Sequence, residues 1–150
     1  MTPNLQPEPR HVPSLRPGPK GGKRDANDAT LLETARRETR EEIGVDLDLG
    51  AELLGRLPEQ RLERGSSLRL TVQPFVYALT REPTLKTNHE VEKVVWLPLD
   101  ELAAGSRDTT VIHEYRGKRM SFPAWELAGD KVWGLTYRMI QSLFDLLEDA

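Results

Sequence analysis

The 150-residue chain contains no cysteine, so neither a disulfide framework nor a cysteine-based zinc site is available to it. It also lacks an apolar run of the roughly 18–20 residues that a membrane span requires, and its N-terminus carries no apolar signal core. A net charge of -3, with no dense basic stripe, argues against a protein that binds nucleic acid through phosphate contacts. We therefore expect a cytoplasmic protein with neither a membrane nor a nucleic acid as its partner.

The composition is that of an ordinary globular chain, with 37% hydrophobic and 30% charged residues, and its length predicts a single domain. Residues 1–20 differ from the rest, because they hold six of the eleven prolines: Pro3, Pro7, Pro9, Pro13, Pro17 and Pro19. So many prolines prevent regular ladder pairing, and we expect this segment to be extended or disordered. The domain itself is expected over residues 21–150.

Hydrophobic periodicity predicts the secondary structure of the domain. A helix is expected over 27–43, capped by Asn27, Asp28 or Thr30 and ended by Gly44. Its apolar face is predicted to consist of Leu31, Leu32, Ala35, Thr39 and Ile43. The elements expected after it are strands over 51–57, 67–80 and 91–97, a short helix over 100–104, a hairpin of 109–115 with 118–124, and a helix over 132–147. Pro74 implies an edge position or a bulge in the second strand. Strands with few helices in this order predict an α/β fold with a mixed sheet.

Three glutamates near the end of the first helix carry the chemical signal. Glu38, Glu41 and Glu42 stand at positions i, i+3 and i+4, which places their carboxylates on one helix face with Cβ atoms roughly 5–6 Å apart. Like charges so close together repel each other and weaken a bare helix. A hard divalent cation removes that repulsion, and carboxylate oxygens suit Mg²⁺ or Mn²⁺. The spacing therefore favours a metal platform that can bridge to substrate phosphates.

A solvated acidic face is the alternative interpretation, since neighbouring arginines, among them Arg37, could neutralise the glutamates. The flanking residues favour the metal platform. A Gly21-Gly22 turn precedes the helix, and Gly44 follows it directly. An acidic cluster at a helix C-terminus also opposes the helix dipole, so helix stability does not explain its position.

The segment resembles the Nudix box, Gly-x5-Glu-x7-Arg-Glu-U-x-Glu-Glu-x-Gly-U, in which U is a bulky apolar residue. The residues that match it are Arg37, Glu38, Glu41, Glu42, Gly44 and Val45. Thr39 departs from the pattern at the first U position, the spacing from Gly22 to Arg37 is one residue longer, and the upstream glutamate is missing. The last two departures look like the coenzyme A pyrophosphatase branch, in which Gly-Gly-x-x-Asp-x-x-Asp precedes the helix. The corresponding residues are Gly21, Gly22, Asp25 and Asp28.

The resemblance extends from about residue 21 to residue 147. Residues 88–91 and 94–99 are similar to the segment before the last sheet strand of that branch, and 132–136 look like its Trp-Gly-x-Thr element. This implies a Nudix-type α/β/α sandwich with a mixed sheet. The branch's N-terminal signature, ending in Phe-Pro-Gly-Gly, is missing or altered, so we expect the first strands of the sheet to be lacking. Either the domain is naturally shortened, or this chain begins within a longer open reading frame. A sheet without those strands exposes an edge, through which a homodimer could form.

The resemblance also implies roles for individual side chains. It makes Glu38, Glu41 and Glu42 the metal ligands, with Glu41 and Glu42 essential for catalysis. Arg37 orients the glutamates through a salt bridge, and Glu90 is a candidate general base or additional ligand. Lys23 and Arg24, beside the glycines Gly21 and Gly22, either meet the substrate phosphates or form a solvated turn.

The predicted activity is divalent-metal-dependent cleavage of a phosphoanhydride. The expected substrate is a nucleoside diphosphate linked to another group, with coenzyme A or its acyl thioesters favoured. Hydrolysis of ADP-ribose, dinucleotides or nucleoside triphosphates on the same platform is one alternative. A truncated Nudix fold that binds a ligand without turnover is the other.

Overall fold

A computed structural model of the chain describes residues 30–64 and 68–150. These residues form three helices: α1 (Leu31–Ile43), α2 (Leu99–Ala104) and α3 (Leu135–Glu148). The seven strands are β1 (Ala51–Arg56), β2 (Gln60–Arg64), β3 (Leu68–Val72), β4 (Phe75–Leu79), β5 (Asp108–Tyr115), β6 (Lys118–Leu127) and β7 (Asp130–Trp133). The described residues divide into two compact units, one of residues 94–137 and one that contains 30–64, 68–93 and 138–150. Each unit has buried side chains of its own.

Helix α1 begins with a side-chain cap and ends with a left-handed glycine. The backbone N–H of Glu33 donates to Thr30 Oγ1 at 3.2 Å, which selects the last of the three predicted caps. Asn27 and Asp28 lie outside the described residues. At the other end Gly44 has φ 74°, as expected of a helix terminator, and its N–H donates to Arg40 O at 3.0 Å. The apolar face is only partly as predicted, because Leu31 is 51% exposed whereas Thr34 is buried.

The predicted strand over 67–80 is wrong as a single element. It is two strands, β3 and β4, separated at Gln73 and Pro74. Strand β3 pairs with β2, which was not predicted, while β4 pairs with β1. Gln73 Nε2 donates to Leu57 O at 2.7 Å and to Pro74 O at 3.1 Å, so the side chain stabilises the break. Proline has no N–H to give to a ladder, which is why the pairing changes at this point.

The predicted strand over 91–97 is also wrong. No regular element occupies residues 80–98, and no strand of the described residues pairs with this segment. The β-branched residues Val91, Val94 and Val95 favour a strand by composition. A strand forms, however, only where a neighbouring strand completes its backbone hydrogen bonds. The Val91 N–H instead donates to Asn88 O at 3.2 Å, within a turn.

The unit of residues 94–137 contains the predicted hairpin. Strands β5 and β6 pair from Asp108↔Trp125 to Tyr115↔Lys118. The turn residues Arg116 and Gly117 both have positive φ, 52° and 75°, as a two-residue hairpin turn requires. Trp125, 1% exposed, lies in the core of this unit with its ring centroid 4.2 Å from that of Tyr137.

Strand β7 was not predicted, and it includes the first residues of the helix expected over 132–147. The helix starts only at Leu135, after Gly134 with φ 68°. All pairings within the described ranges are antiparallel, in ladders ordered β1-β4, β2-β3 and β5-β6-β7. The parallel pairs of the predicted mixed sheet are therefore absent from this part of the chain. The expectation that the first strands of the sheet are lacking concerns residues outside the described ranges and stays a prediction.

We expect Gly44→Ala to destabilise the protein more than Gly117→Ala does. Both glycines have nearly the same φ, 74° and 75°, so each alanine meets a similar left-handed strain of roughly 1–2 kcal/mol. A Cβ on Gly44 would also lie 3.1 Å from the Lys86 carbonyl oxygen, whereas one on Gly117 meets nothing within 4 Å. Urea denaturation of both variants gives the two free-energy changes. Equal losses would contradict a tight approach of Lys86 to the helix end.

Candidate active site

Helix α1 places two carboxylates on one face near its C-terminus. Glu38 and Glu42 are four residues apart, and both are half-buried. They lie in the last turns of the helix, where the dipole is negative and offers a carboxylate no stabilisation. The helix therefore brings together two negative charges that it does not itself neutralise.

A segment from much later in the chain lies against the same helix end. We call residues 86–90 the capping loop, because two of its N–H groups meet carbonyls that the helix leaves without partners. The Lys86 N–H donates to Ile43 O at 2.9 Å, and the Asn88 N–H donates to Glu42 O at 3.0 Å. A turn at residues 89 and 90 then follows, and it carries Glu90 to the acidic face of the helix.

Three carboxylates meet as a result. One oxygen each of Glu38, Glu42 and Glu90 lies within 4.8 Å of the other two. This set offers only hard oxygen donors, which suit Mg²⁺ or Mn²⁺ and not a metal that prefers sulfur or imidazole. Among the described residues, these three are the His, Cys, Asp and Glu side chains that lie close enough together to share an ion.

The electrostatics of the group favour a bound cation. The pKa of the Glu42 carboxyl is raised to about 7, chiefly by burial and next by the negative charge of Glu38. A hydrogen bond between the Glu42 and Glu38 side chains and the charges of Glu90 and Glu41 act in the same direction. Burial and like charge therefore both oppose ionisation of Glu42, and a bound cation would relieve both. The donor set and the like charge both fit a divalent cation.

Arg37 and Glu41 occupy the edge of this group. Arg37 Nη1 lies 3.0 Å from Glu38 Oε1 and 3.0 Å from Glu41 Oε2, so the ion pair that the sequence predicted is present. Glu41 is 54% exposed on its side chain and does not belong to the group of three. The structure therefore brings Glu38 and Glu42 together with Glu90, and places Glu41 with Arg37. Whether Glu41 is also a metal ligand stays a prediction.

The remaining predicted site residues lie outside the described part of the chain. These are Gly21, Gly22, Lys23 and Arg24, the candidates for contact with substrate phosphates. The structure adds Asn88 to the site, a residue to which the sequence pattern assigns no role. Its signal in the sequence was an asparagine two residues before the candidate base Glu90, a spacing at which asparagine side chains accept a backbone hydrogen bond.

A comparison with known families agrees with this geometry. The chain matches the NUDIX domain over residues 7–117, which is more than half of its length. The chain therefore belongs to the NUDIX family, and the predicted α/β class is confirmed by helices and antiparallel strands.

Curated relatives from three organisms are similar to the chain. An uncharacterized protein of Schizosaccharomyces pombe is 32% identical over 132 residues, which cover 83% of this chain and 40% of that protein. The uncharacterized Nudix hydrolase NudL of Pectobacterium atrosepticum is 31% identical over 124 residues, covering 82% of this chain and 62% of the relative. The peroxisomal coenzyme A diphosphatase ndx-8 of Caenorhabditis elegans is 33% identical over 94 residues, covering 61% and 38%.

The chain thus spans between 38% and 62% of the length of these relatives. Among the described residues, no helix combines the length and apolar character that a bilayer crossing requires.

Without metal, the protein should lose stability as the pH rises from about 4.5 to about 7. The folded-state pKa of Glu42, about 7, lies above its ordinary value of 4.5. The folded state therefore binds this proton more tightly than the unfolded chain, and that stabilisation is lost as Glu42 ionises. In Glu42→Gln the loss should be absent, so this variant should match the wild type at pH 4 and exceed its stability at pH 8. Urea denaturation in EDTA across this range measures both, and parallel pH profiles of the two proteins would contradict the shift.

Proposed function

We propose that the chain is a divalent-metal-dependent pyrophosphohydrolase that cleaves the phosphoanhydride of a nucleoside diphosphate linked to another group. The observation that carries this proposal is the meeting of Glu38, Glu42 and Glu90 within 4.8 Å at the end of α1. Membership of the NUDIX family and the name of the Nudix hydrolase NudL relative support hydrolysis as the activity.

Glu38 and Glu42 are the residues that would hold Mg²⁺ or Mn²⁺, with Glu41 as a further predicted ligand. A divalent cation bound there would neutralise charge on the phosphoryl oxygens and lower the pKa of a bound water. Glu42 must give up its proton to serve as a ligand, so the cation and the proton compete for the same carboxylate. Arg37 limits the repulsion between Glu38 and Glu41 and holds both side chains in one arrangement.

Glu90 is the group best placed to act as general base, and an additional cation ligand is its other predicted role. Its carboxylate belongs to the acidic group, yet its side chain is 41% exposed and it comes from the capping loop instead of the helix. A carboxylate oxygen of Glu90 can accept a proton from the attacking water as the new P–O bond forms. The bond to the bridging oxygen breaks in line, and the two phosphate-containing halves leave as separate products.

Coenzyme A or an acyl-coenzyme A is the favoured substrate. This choice is supported by the name of the nematode relative, a coenzyme A diphosphatase, and by the motif residues Gly21, Gly22, Asp25 and Asp28. ADP-ribose, dinucleotides and nucleoside triphosphates are the alternatives on the same platform. A non-catalytic binding module is the alternative from another class, and a substrate panel decides among them.

Partners and compartment remain predictions. We propose a small nucleotide-type molecule as the ligand and a homodimer through an exposed sheet edge as the assembly. A cytoplasmic location is proposed as well, and the word peroxisomal in the nematode relative's name offers a second compartment to test.

Glu42→Gln should lower kcat by at least about a hundredfold, the effect of losing a metal ligand or a proton-transfer group. The substitution keeps the shape of the side chain and removes the charge, so the fold should persist by circular dichroism. Glu59→Gln makes the same chemical change at an exposed position outside the group and should leave kcat within about twofold. Activity of Glu42→Gln within a factor of a few of the wild type would refute the assignment.

Coenzyme A should be cut at its pyrophosphate, giving 3′,5′-ADP and 4′-phosphopantetheine. A cation held by Glu38 and Glu42 would neutralise charge on the phosphates, so we expect water to attack at the anhydride between them, and ester bonds elsewhere should survive. Hydrolysis in ¹⁸O-labelled water followed by mass spectrometry identifies both products and the phosphorus attacked.

The same assay is run with ADP-ribose, NADH, diadenosine polyphosphates and deoxynucleoside triphosphates, with Mg²⁺, with Mn²⁺ and with EDTA. Intact coenzyme A beside a cleaved dinucleotide or ADP-ribose would reject the favoured substrate and retain the hydrolase. Binding without turnover of any compound would favour the binding module.

A further inference from the structure

The capping loop attaches to helix α1 at the residue that belongs to the acidic group. Of the two backbone hydrogen bonds between loop and helix end, the one at 3.0 Å joins the Asn88 N–H to the carbonyl of Glu42 itself. A carbonyl in the last turn of a helix has no intrahelical donor, so this bond satisfies a group that would otherwise need water. Asn88 is therefore fixed with respect to the Glu42 backbone.

The side chain of the same asparagine fixes Glu90. Asn88 Oδ1 accepts a hydrogen bond from the Glu90 N–H at 2.9 Å, and Asn88 O accepts one from the Val91 N–H at 3.2 Å. A side-chain oxygen that accepts from the N–H two residues later closes a compact turn and restricts the backbone between them. The turn determines the direction in which the Glu90 side chain leaves the loop.

Glu90 has little else to hold it in place. Within the described part of the chain, its other polar contact is His89 Nε2 at 3.9 Å, and the His89 side chain is 89% exposed. The charges of Glu38 and Glu42 repel the Glu90 carboxylate whenever all three are ionised. A carboxylate that is repelled by its neighbours stays among them only if its backbone is held there, and the Asn88 side chain does this.

We propose that Asn88 is the positioning residue that sets Glu90 against Glu38 and Glu42. Its N–H is bound to the Glu42 carbonyl, and its Oδ1 is bound to the Glu90 N–H, so one residue connects the two sides of the acidic group. Asn88 acts through Glu90 and does not itself touch the metal or the substrate. This inference rests on the proposed function, because it takes the acidic group as the place where the cation is held.

A double-mutant cycle on the full chain tests the proposal with Mn²⁺ binding as the readout. The proteins are wild type, Asn88→Ala, Glu90→Gln and the double variant, and isothermal titration with Mn²⁺ gives each Kd. We expect Asn88→Ala to weaken Mn²⁺ binding by about tenfold, the loss typical when a residue that orients a metal ligand is removed. In the Glu90→Gln background the same change should matter less than about twofold, because the group it positions has already been removed.

Two further variants separate positioning from a general effect on the loop. Asn88→Ser retains a side-chain oxygen that can accept from the Glu90 N–H, so it should bind Mn²⁺ within about threefold of the wild type. His89→Ala changes the neighbouring, exposed side chain and should bind Mn²⁺ within about twofold of the wild type. Asn88→Ser is also measured in the Glu90→Gln background, which preserves the comparison if Asn88→Ala does not fold.

Several outcomes would overturn the proposal. Equal losses from Asn88→Ala with and without Glu90 would mean that Asn88 supports the helix end and not Glu90. An unchanged Kd in Glu90→Gln would remove Glu90 from the cation site, and His89→Ala as damaging as Asn88→Ala would point to a general loop effect. Because Kd is measured without substrate, a chain that hydrolyses nothing in the panel would refute the proposed function while the cycle still decides the role of Asn88.

Discussion

Repulsion among three carboxylates is the constraint on which the site depends. One oxygen of each of Glu38, Glu42 and Glu90 lies within 4.8 Å of the other two, and burial together with these neighbouring charges raises the pKa of Glu42 to about 7. Unconnected side chains would separate to relieve such repulsion. Here a helix holds two of them, and hydrogen bonds at the helix C-terminus hold the third, so the acidic group persists and favours a cation.

The end of helix α1 has two structural functions at once. Gly44 ends the helix in a left-handed conformation and leaves room for the backbone of Lys86, which passes within 3.1 Å of where a Cβ would be. The carbonyls exposed by that ending receive N–H groups from the capping loop. The end of the helix is therefore also the place where the capping loop binds and positions Glu90. Gly44 is required both to end the helix and to leave space for Lys86.

Helix ends and turns were predicted well from the sequence, whereas the pairing of strands was not. Caps, turn residues and apolar periodicity act within a few residues, so they predicted three local features correctly. These are the end of helix α1, the turn at Arg116 and Gly117, and helix α2. Pro74 predicted an interruption of the strand, but not which strands would pair on either side of it. Local sequence does not encode that β3 pairs with β2 and β4 with β1. Strand β2, with the sequence Gln-Arg-Leu-Glu-Arg, has no apolar alternation and exists because β3 lies beside it. Residues 91–97 show the opposite case, a strand-like composition without a ladder partner in the described residues.

The sequence by itself determined the kind of chemistry. The spacing of Glu38 and Glu42 places carboxylates on one helix face whatever surrounds the helix, because the 3.6-residue period is a property of the backbone. Only the tertiary structure decided which third carboxylate joins them. Glu41 is nearer in sequence but pairs with Arg37, whereas Glu90 arrives through the capping loop. Backbone hydrogen bonds between distant residues depend on the folded path of the chain, and no local spacing encodes that path.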